Sequence, residues 1–466
     1  MKEVLTKTES LCPICLSRIP AKRIVEGGDV YLEKDCPEHG NFKALIWRDA
    51  ELYRNWSQHS QQAVGPEKRM TDIARGCPYD CGLCPSHEAD TCTTVMEVTH
   101  NCNLNCPICF ASGNEGLHLE PDSDAIQGMY QTIIEAGGPY PVQISGGEPT
   151  IRDDLPTIVA LGKKLGFYHI QINTNGIRIA QDREYLERLK ESGADLIYLQ
   201  FDGVSDDVYR IIRGRNLFDF KVRAISNCAE VEIGVILVPT VVPNVNFHQL
   251  GDVVQFAKKW IPTVKGIHFQ PVSYFGRYPR SPKDEDRVTL PDILDGLVVQ
   301  TKGELKKTDF VPRRCEDSHC SFSSFFVLME DGKLQARTDI AREPVSGFGY
   351  RKDPPAVTAR RFIDRRWRLV NEEAEQTAKG CGQCCGQNQD SWLRFRKREG
   401  LYYLTITGMP FQDIWTLDLQ KLKRCCVHVV TNSKRLIPLC AFYVTSITGE
   451  RLYQNLPTGT ALSLTD

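Results

Sequence analysis

The sequence predicts an α/β protein: a partial (β/α)6 barrel with a ribbon-like metal domain before it and an auxiliary-cluster domain after it. Two observations favour this fold. Strand-like and helix-like segments alternate between about residues 95 and 271, as parallel neighbours with crossover connections require. The 19 cysteines cluster at metal-ligand spacings, mostly on both sides of that region, which indicates metal centres over a disulfide framework.

Residues 1–62 are predicted to form the ribbon-like domain. Cys12 and Cys15 make one C-x2-C pair, and Cys36 is followed by His39. The β-like segment between them predicts a hairpin joining two knuckles, the layout of a zinc ribbon or a rubredoxin-like iron site. Three cysteines and one histidine suit zinc at least as well as iron, and a distant cysteine is the alternative fourth ligand.

Residues 63–94 form a cysteine-rich segment. It contains four cysteines within sixteen residues, which is enough to close one auxiliary [4Fe–4S] cluster without help from elsewhere. These cysteines are Cys77, Cys81, Cys84 and Cys92.

The barrel is predicted for residues 95–283. Its candidate strands are VMEVT, PVQIS, HIQINT, DLIYLQF, EIGVILV and GIHFQ, with helices near 122–136, 151–165, 181–192, 216–229 and 245–259. Right-handed crossovers curl such a sheet and place the site at the carboxyl ends of its strands.

Two motifs follow the first two of these strands. Cys102, Cys106 and Cys109 have C-x3-C-x2-C spacing. Because a cubane cluster usually takes four protein thiolates, a set of three leaves one iron open to a small molecule. The segment 145–149 (SGGEP) comes directly after the second strand. Its glycines would let the backbone approach a ligand closely, and an ordinary Gly-Pro turn is the alternative.

Residues 284–466 are predicted to form the auxiliary-cluster domain. This segment carries eight further cysteines as candidate ligands, whose pairing the sequence leaves open. They are Cys315, Cys320, Cys381, Cys384, Cys385, Cys425, Cys426 and Cys440.

Composition excludes several function classes. The 466 residues carry 57 basic and 59 acidic side chains, a net charge of −2, so no overall field draws the protein to nucleic acid. No apolar run reaches transmembrane length, and the N-terminus lacks the apolar core of a signal peptide. We therefore expect a cytoplasmic protein of two to four domains, with peripheral membrane contact as an open alternative.

The three-cysteine loop after a first strand and GGEP after a second resemble the radical S-adenosylmethionine (SAM) enzymes. The resemblance implies that SAM chelates the open iron and that its cleavage by a reduced cluster yields a 5′-deoxyadenosyl radical, which removes hydrogen from carbon. No catalytic side chain is assigned beyond the cluster. The residues implied to cradle the SAM amine are Gly146, Gly147, Glu148 and Pro149.

Residues at or after the ends of later strands are further candidates for contacts to SAM. Asn173 and Asn175 are candidates for the ribose hydroxyls, although Asn175 also suits an Asn-Gly turn. Gln200 and Asp202 end the next strand, and Asp202 could equally cap the following helix. Arg213 is a candidate partner for the SAM carboxylate, with a surface or helix-terminal role as the alternative.

The resemblance narrows to one group. The continuous segment 76–114, the N-terminal ribbon and the segment 410–443 resemble the group that contains the tetraether lipid synthase and the hydroxymethylpterin methyltransferases. For this group the resemblance implies three [4Fe–4S] clusters and one mononuclear iron, a demand that the 19 cysteines meet. Cys228, alone on a predicted helix, is expected to be a buried structural thiol.

We predict carbon–carbon coupling of archaeal lipid tails, a transferase reaction of membrane-lipid biosynthesis, as the first function. Methylation of a pterin-like small molecule is the alternative, and Tyr274, Phe275 and Tyr278 are possible walls for its pocket or packing residues at the barrel mouth. Peptide modification ranks lower, and an iron–sulfur electron carrier is the non-enzyme alternative. The expected partners are a lipid or small-molecule substrate and a low-potential electron donor such as ferredoxin or flavodoxin, with no nucleic acid.

Overall fold

The computed structural model describes residues 2–60, 64–114, 120–342, 353–369 and 398–453. Three predicted ligands, Cys381, Cys384 and Cys385, lie outside the described residues.

The N-terminal ribbon is a four-stranded antiparallel meander. Its strands pair in sequence order: β1 (Glu3–Leu11), β2 (Arg18–Glu26), β3 (Asp29–Cys36) and β4 (Gly40–Trp47). Helix α1 (Ala50–Ser57) follows, and the Asp49 carboxylate caps it by accepting from Leu52 N at 2.9 Å. Trp47 packs edge-on against Trp56 of this helix at 5.3 Å between ring centroids, which fixes the helix against the sheet.

The six strands predicted for the barrel are confirmed as parallel neighbours in sequence order. All residues of the first and fifth of them are buried, as expected for a parallel sheet covered on both faces. The strands of this segment, with one short addition, are β5 (Thr93–Glu97), β6 (Val142–Ser145), β7 (Ile170–Thr174), β8 (Leu196–Gln200), β9 (Gly234–Val238), β10 (Thr240–Val241) and β11 (Val264–Pro271).

Helices connect these strands, and the five predicted ones are present. Asp122 caps the first of them by accepting from Ala125 N at 2.9 Å. Two further short helices, α4 (Ile177–Gln181) and α6 (Asp206–Arg213), were not predicted. The helices are α2 (Ser123–Glu135), α3 (Leu155–Lys164), α4 (Ile177–Gln181), α5 (Arg183–Glu191), α6 (Asp206–Arg213), α7 (Phe218–Glu230) and α8 (Leu250–Lys259).

The C-terminal segment extends the barrel sheet on both sides. Its strands are β12 (Val311–Pro312), β13 (Phe322–Leu328), β14 (Leu334–Ala336), β15 (Tyr403–Gly408), β16 (Val427–Val430) and β17 (Leu436–Pro438). Strand β15 pairs in parallel with β11, and β16 pairs in parallel with β5. The described sheet has thirteen strands, in the order β12-β13-β15-β11-β9-β8-β7-β6-β5-β16-β17, with β10 on β11 and β14 on β13.

The chain returns to the barrel sheet beyond residue 284, where the predicted C-terminal domain begins. Two strands from beyond that point, β15 and β16, belong to the barrel sheet itself. Sequence order hides the pairing, because β16 follows β5, its neighbour in the sheet, by more than three hundred residues. The described helices of this segment are α9 (Leu290–Gln300), α10 (Pro355–Arg366), α11 (Leu419–Lys423) and α12 (Leu439–Tyr443).

Short 3-10 turns lie at Pro149–Ile151, Phe247–Gln249, Asp284–Asp286, Lys307–Asp309 and Ile340–Arg342. Across the described residues, none of the helices combines the length and the apolar character needed to cross a bilayer.

Candidate active site

The carboxyl ends of the parallel strands surround one cavity of about 200 Å³. The motifs predicted from separate parts of the chain meet there, because every one of them follows a parallel strand. The lining includes Cys102, Cys106, Cys109, Gly146, Gly147, Glu148, Asn173, Asn175, Gln200 and Arg213.

The three-cysteine loop after β5 is fixed by two side chains. Asn114 accepts from Cys102 N at 2.8 Å, and its Nδ2 donates to the carbonyls of Cys102 and Leu104 at 2.9 and 3.1 Å. Arg277 donates from Nε to Cys106 O at 3.0 Å. Burial raises the pKa of the Cys102 thiol to about 12. A bound cation must therefore hold this sulfur as the thiolate that metal ligation requires.

The two glycines of GGEP dock this segment against the cysteine loop. Gly147 N donates to Thr99 O at 2.8 Å. A Cβ on Gly146 would lie 2.1 Å from Thr99 O, and a Cβ on Gly147 would lie 2.2 Å from Asn101 O. Gly146 also has a φ of +129°. The glycines are therefore required for backbone-to-backbone contact between the two motifs, beyond any approach to a ligand.

Glu148 is buried and braces the next strand end. Its carboxylate accepts from the hydroxyls of Thr150 and Thr174 at 2.6 Å each, and from Asn175 N at 2.6 Å. Burial raises the pKa of Glu148, although these hydrogen bonds oppose the shift. Four protein donors in all reach this carboxylate, so most of its accepting capacity is used within the fold.

The side chains of the two predicted ribose ligands differ in how strongly the fold already engages them in hydrogen bonds. Asn175 Nδ2 donates to Asn103 Oδ1 at 2.6 Å, and its Oδ1 accepts from Ile177 N at 3.0 Å. This side chain therefore holds the turn before α4 and ties it to the cysteine loop. Asn173 makes only long contacts, with Gln143 and Gln171 at 3.3 Å each, and lines the cavity.

Asp202 and Arg213 form a buried bidentate ion pair. Arg213 Nε and Nη2 donate to the Asp202 carboxylate at 2.7 and 2.8 Å, and the arginine and aspartate side chains are 8% and 0% exposed. A surface role for Arg213 is therefore wrong, although the residue does end helix α6, and a capping role for Asp202 is wrong because Ser205 occupies the N-cap position of that helix. The side chain of Gln200 is a shared acceptor: its amide oxygen reaches Lys221 at 3.4 Å in one orientation and Arg213 at 3.2 Å in the other.

Lys221 on α7 was missed by the sequence interpretation. It is fully buried and donates from Nζ to Asn175 O at 2.5 Å. Burial lowers the pKa of Lys221 to about 7, although Asp202 opposes the shift. A signal was available, because Lys221 lies three residues after Phe218 and seven before Cys228, on the buried side of an amphipathic helix.

Aromatic side chains form the far wall, but only in part those predicted. Phe275 lines the cavity, together with Phe411, which follows β15. Tyr274 and Tyr278 pack against Trp415 instead, at 6.5 and 5.7 Å between ring centroids. These two residues therefore serve as packing at the barrel mouth.

A second site lies in the ribbon. The turns β1–β2 and β3–β4 bring together Cys12, Cys15, Cys36 and His39, whose ligand atoms all lie within 4.8 Å of one another. His39 Nδ1 is 3.6 Å from Cys12 Sγ and 3.5 Å from Cys36 Sγ. The pKa of Cys36 falls to about 7, because hydrogen bonds from His39 and the backbone outweigh the effect of burial. This donor set fits one tetrahedral ion.

The structure corrects the predicted grouping of Cys92. The sulfurs within 4.8 Å of Cys92 are those of Cys315 and Cys426, and Cys92 Sγ lies 2.7 Å from Cys426 Sγ. Cys92 N also donates to Cys426 O at 2.8 Å. The reason is the sheet: Cys92 and Cys426 each directly precede one of the paired strands β5 and β16.

The remaining predicted cysteine ligands among the described residues form two sets of three. Cys77, Cys81 and Cys84 line one small cavity with His87 and Lys423. Three further thiols form another set. Cys320 is close enough to Cys425 for their charges to interact, and Cys425 is in the same relation to Cys440. Cys228 is buried, as predicted.

Comparison with known proteins connects this arrangement to a family. The family model described as "Radical SAM superfamily" matches residues 96–257, and that of the "HMPTM N-terminal zinc ribbon domain" matches residues 4–48. A 7,8-dihydro-6-hydroxymethylpterin dimethyltransferase from Methanocaldococcus jannaschii is 35% identical over 493 residues, covering 94% of this chain and 93% of the relative. The chain belongs to the radical SAM superfamily. Within it, this radical SAM protein shares a family with that full-length relative.

Other relatives of this radical SAM enzyme match a smaller part. A probable GTP 3′,8-cyclase from Methanothermobacter thermautotrophicus is 28% identical over 165 residues, covering 35% of this chain and 53% of the relative. The solved structure of SuiB from Streptococcus suis, bound to precursor peptide SuiA, has 18% identity and a TM-score of 0.39, with 46% of each chain covered.

Membership fixes the cofactors. The enzyme uses SAM and a [4Fe–4S] cluster, and the additional cysteine groups and the ribbon fit further clusters or a mononuclear metal. A radical SAM enzyme also needs an electron donor and a substrate. The electron-carrier alternative is therefore wrong.

Proposed function

We propose that this radical SAM enzyme methylates a pterin-like small molecule. The full-length similarity to a pterin dimethyltransferase carries the proposal, because it extends through the ribbon, the barrel and the C-terminal segment. This reverses the order of the sequence-based functions, in which lipid-tail coupling came first.

The cavity at the strand ends suits the cofactor. Three thiols and residues 146–148 line the same space, so Cys102, Cys106 and Cys109 would hold the cluster and the GGEP segment would contact the SAM amine through these residues. When bound, SAM and its cluster supply a 5′-deoxyadenosyl radical. Asn173 and Gln200, which make only long side-chain hydrogen bonds, remain the best candidates for further contacts to SAM.

The far wall suits a small heteroaromatic. Phe275 and Phe411 offer apolar ring faces, while Gln270 and Thr240 offer polar groups beside them. Within the described part of the chain the Gln270 side chain makes no hydrogen bond, so its amide is free to pair with a ring edge. A site with such polar groups discriminates strongly against ligands that leave them unpaired.

Coupling of lipid tails is a second candidate function. The same cavity has apolar side chains, among them Ile108, Ile212 and Val242, that an alkyl chain could contact. This candidate ranks lower because the full-length relative has a pterin as its named substrate.

For the other cysteines we propose auxiliary iron–sulfur clusters and one mononuclear site. The ribbon ligands Cys12, Cys15, Cys36 and His39 would hold a single zinc or iron. Two auxiliary [4Fe–4S] clusters would be shared among the sets around Cys81, Cys315 and Cys440, which with the catalytic cluster makes three. Ferredoxin or flavodoxin would supply the electron.

The test is turnover by the anaerobically reconstituted enzyme with dithionite, SAM, 7,8-dihydro-6-hydroxymethylpterin and deproteinised cell extract as a source of one-carbon donors. Mass spectrometry should find pterin with one or two added methyl groups, together with 5′-deoxyadenosine. Deuterium in the SAM methyl group reports whether SAM is also the methyl donor. The substitution Gln270→Leu should raise the KM for the pterin about tenfold, with the exposed Gln255→Leu as control.

Formation of 5′-deoxyadenosine without methylated pterin would contradict the proposal. Joined alkyl chains formed from a lipid offered in the same assay would favour the second candidate.

A further inference from the structure

A second cavity lies directly behind the far wall of the active site. It has a volume of about 60 Å³ and lies between strand β4 of the ribbon and the C-terminal segment around α11. Three residues line both cavities: Val272, Ser273 and Phe411. Ser273 Oγ donates to Phe411 O at 2.9 Å, which ties two of the three shared residues together.

The second cavity carries charged side chains, and most of them are paired. Arg287 donates to the Asp413 carboxylate at 2.9 Å, and Arg23, just behind the lining, donates to Asp418 at 2.6 Å. Within each buried pair the two charges neutralise each other. Neither pair includes Lys421, the other cation of the lining.

Lys421 is a further cation in the lining of the second cavity. The residue is 7% exposed and lines the cavity. Its Nζ makes no hydrogen bond or ion pair with the described residues. Burial lowers the pKa of Lys421, but nearby Tyr53 and Asp317 outweigh this effect and leave the pKa above its ordinary value. These neighbours favour the charged form without making a hydrogen bond to it, and a buried ammonium without a hydrogen-bond partner is costly, which points to an anion bound in this space.

Two other groups support the same conclusion. The phenol Oη of Tyr53, one of the residues that influence Lys421, is buried without a hydrogen-bond partner in the described structure. Gln412 lines the cavity, and its Oε1 accepts from Asp418 N at 3.0 Å, which leaves its amide NH₂ available as a donor. An ammonium and an amide donor suit phosphate oxygens.

We propose that this second cavity is a phosphate subsite of the active site: the reacting part of the substrate lies beside SAM, and a phosphate ester reaches past Phe411 to Lys421. The inference rests on the proposed small-molecule function and narrows its substrate to a phosphorylated form. The shared chemistry is a phosphate ester, which a phosphorylated pterin or a phospholipid head group would supply.

Binding is tested without turnover. Inorganic phosphate is titrated calorimetrically into the reconstituted enzyme at fixed ionic strength. We expect Lys421→Met to raise the Kd at least about tenfold, while Lys421→Arg and the exposed control Lys259→Met stay within about threefold of wild type. Equal binding by wild type and Lys421→Met, or no binding by either, would overturn the subsite. So would a loss of iron from Lys421→Met, because it would show that the lysine supports a cluster.

Turnover identifies the source of the phosphate. With the pterin and its phosphate ester as substrates, Lys421→Met should raise the KM for the ester and leave the KM for the free pterin unchanged. Turnover of a short-chain phospholipid with the same dependence on Lys421 would assign the site to a lipid head group. Equal KM values for ester and free pterin in wild type would overturn the subsite and leave methylation intact. If neither pterin is methylated, the proposed function fails, and the calorimetric result still decides the subsite.

Discussion

Two three-cysteine groups of this enzyme are built in opposite ways. Cys102, Cys106 and Cys109 come from one loop after β5, and they face a cavity. Cys92, Cys315 and Cys426 come from three distant parts of the chain and are all buried. The first group is brought together by the short spacing of its cysteines along the chain. The second exists only because β16 pairs with β5.

The difference teaches what each group can do. A group at the carboxyl ends of parallel strands opens toward the space where ligands bind in such folds. A group enclosed by paired strands has no comparable space in front of it, and is suited to holding distant segments together or storing charge. We therefore expect the two groups to fail in different ways when they are altered.

The largest effect should come from the open group. Cys106→Ser should abolish SAM cleavage, because among the described cysteines it is this group that lines the cavity beside residues 146–148. Cys315→Ser should keep a measurable rate of 5′-deoxyadenosine formation while lowering the iron or zinc content. Both variants are assayed anaerobically for 5′-deoxyadenosine and for metal. Equal loss of cleavage in both would remove the distinction between the groups.

The ion pair beside the open group comes next. Arg213→Met leaves Asp202 buried without its partner, which should cost about 3–5 kcal/mol in the free energy of unfolding. Arg183→Met, which removes an exposed pair with Glu230, should cost no more than about 1 kcal/mol. Denaturant titration of the reconstituted protein measures both. Similar costs at the two positions would show that the active-site pair is not effectively buried.

Disturbing the glycine contact between the two motifs is expected to lower the free energy of unfolding by less than breaking the ion pair does. Gly147→Ala places a methyl group 2.2 Å from Asn101 O, and should cost about 1–3 kcal/mol. Gly128→Ala on α2 meets nothing within 4 Å and should be neutral or stabilising. Iron content should fall only in Gly147→Ala. An unchanged iron content there would mean that the cysteine loop does not need this contact.

The last expected effect is a pH dependence of stability from Lys221, which is small over any one pH unit. Its pKa is about 7 in the folded chain against an ordinary 10.5, so between these values the unfolded chain binds more protons. Stability contributed by this group therefore rises with pH in that window, by up to about 1.4 kcal/mol per pH unit. Unfolding free energies of wild type and Lys221→Met, compared at pH values across this window, should diverge accordingly. Parallel curves would show that Lys221 is not desolvated.

Sequence periodicity was sufficient for the parallel barrel and for the two motifs on its first strand ends, because each depends on residues close together in the chain. It was insufficient where tertiary pairing decides. Cys92 was grouped with Cys84 by proximity in sequence, whereas strand pairing joins it to Cys426. Phe411 lies more than a hundred residues beyond β11, so it could not be placed at the active site before the parallel pairing of β15 with β11 was known.

The central claim is that the Cys102, Cys106 and Cys109 group is the one that binds SAM. It is tested by electron–nuclear double resonance on the reduced enzyme with SAM labelled isotopically at the methionyl nitrogen. We predict a hyperfine coupling to that nitrogen in wild type and in Cys315→Ser, and none in Cys106→Ser. A coupling that persists in Cys106→Ser would contradict the account.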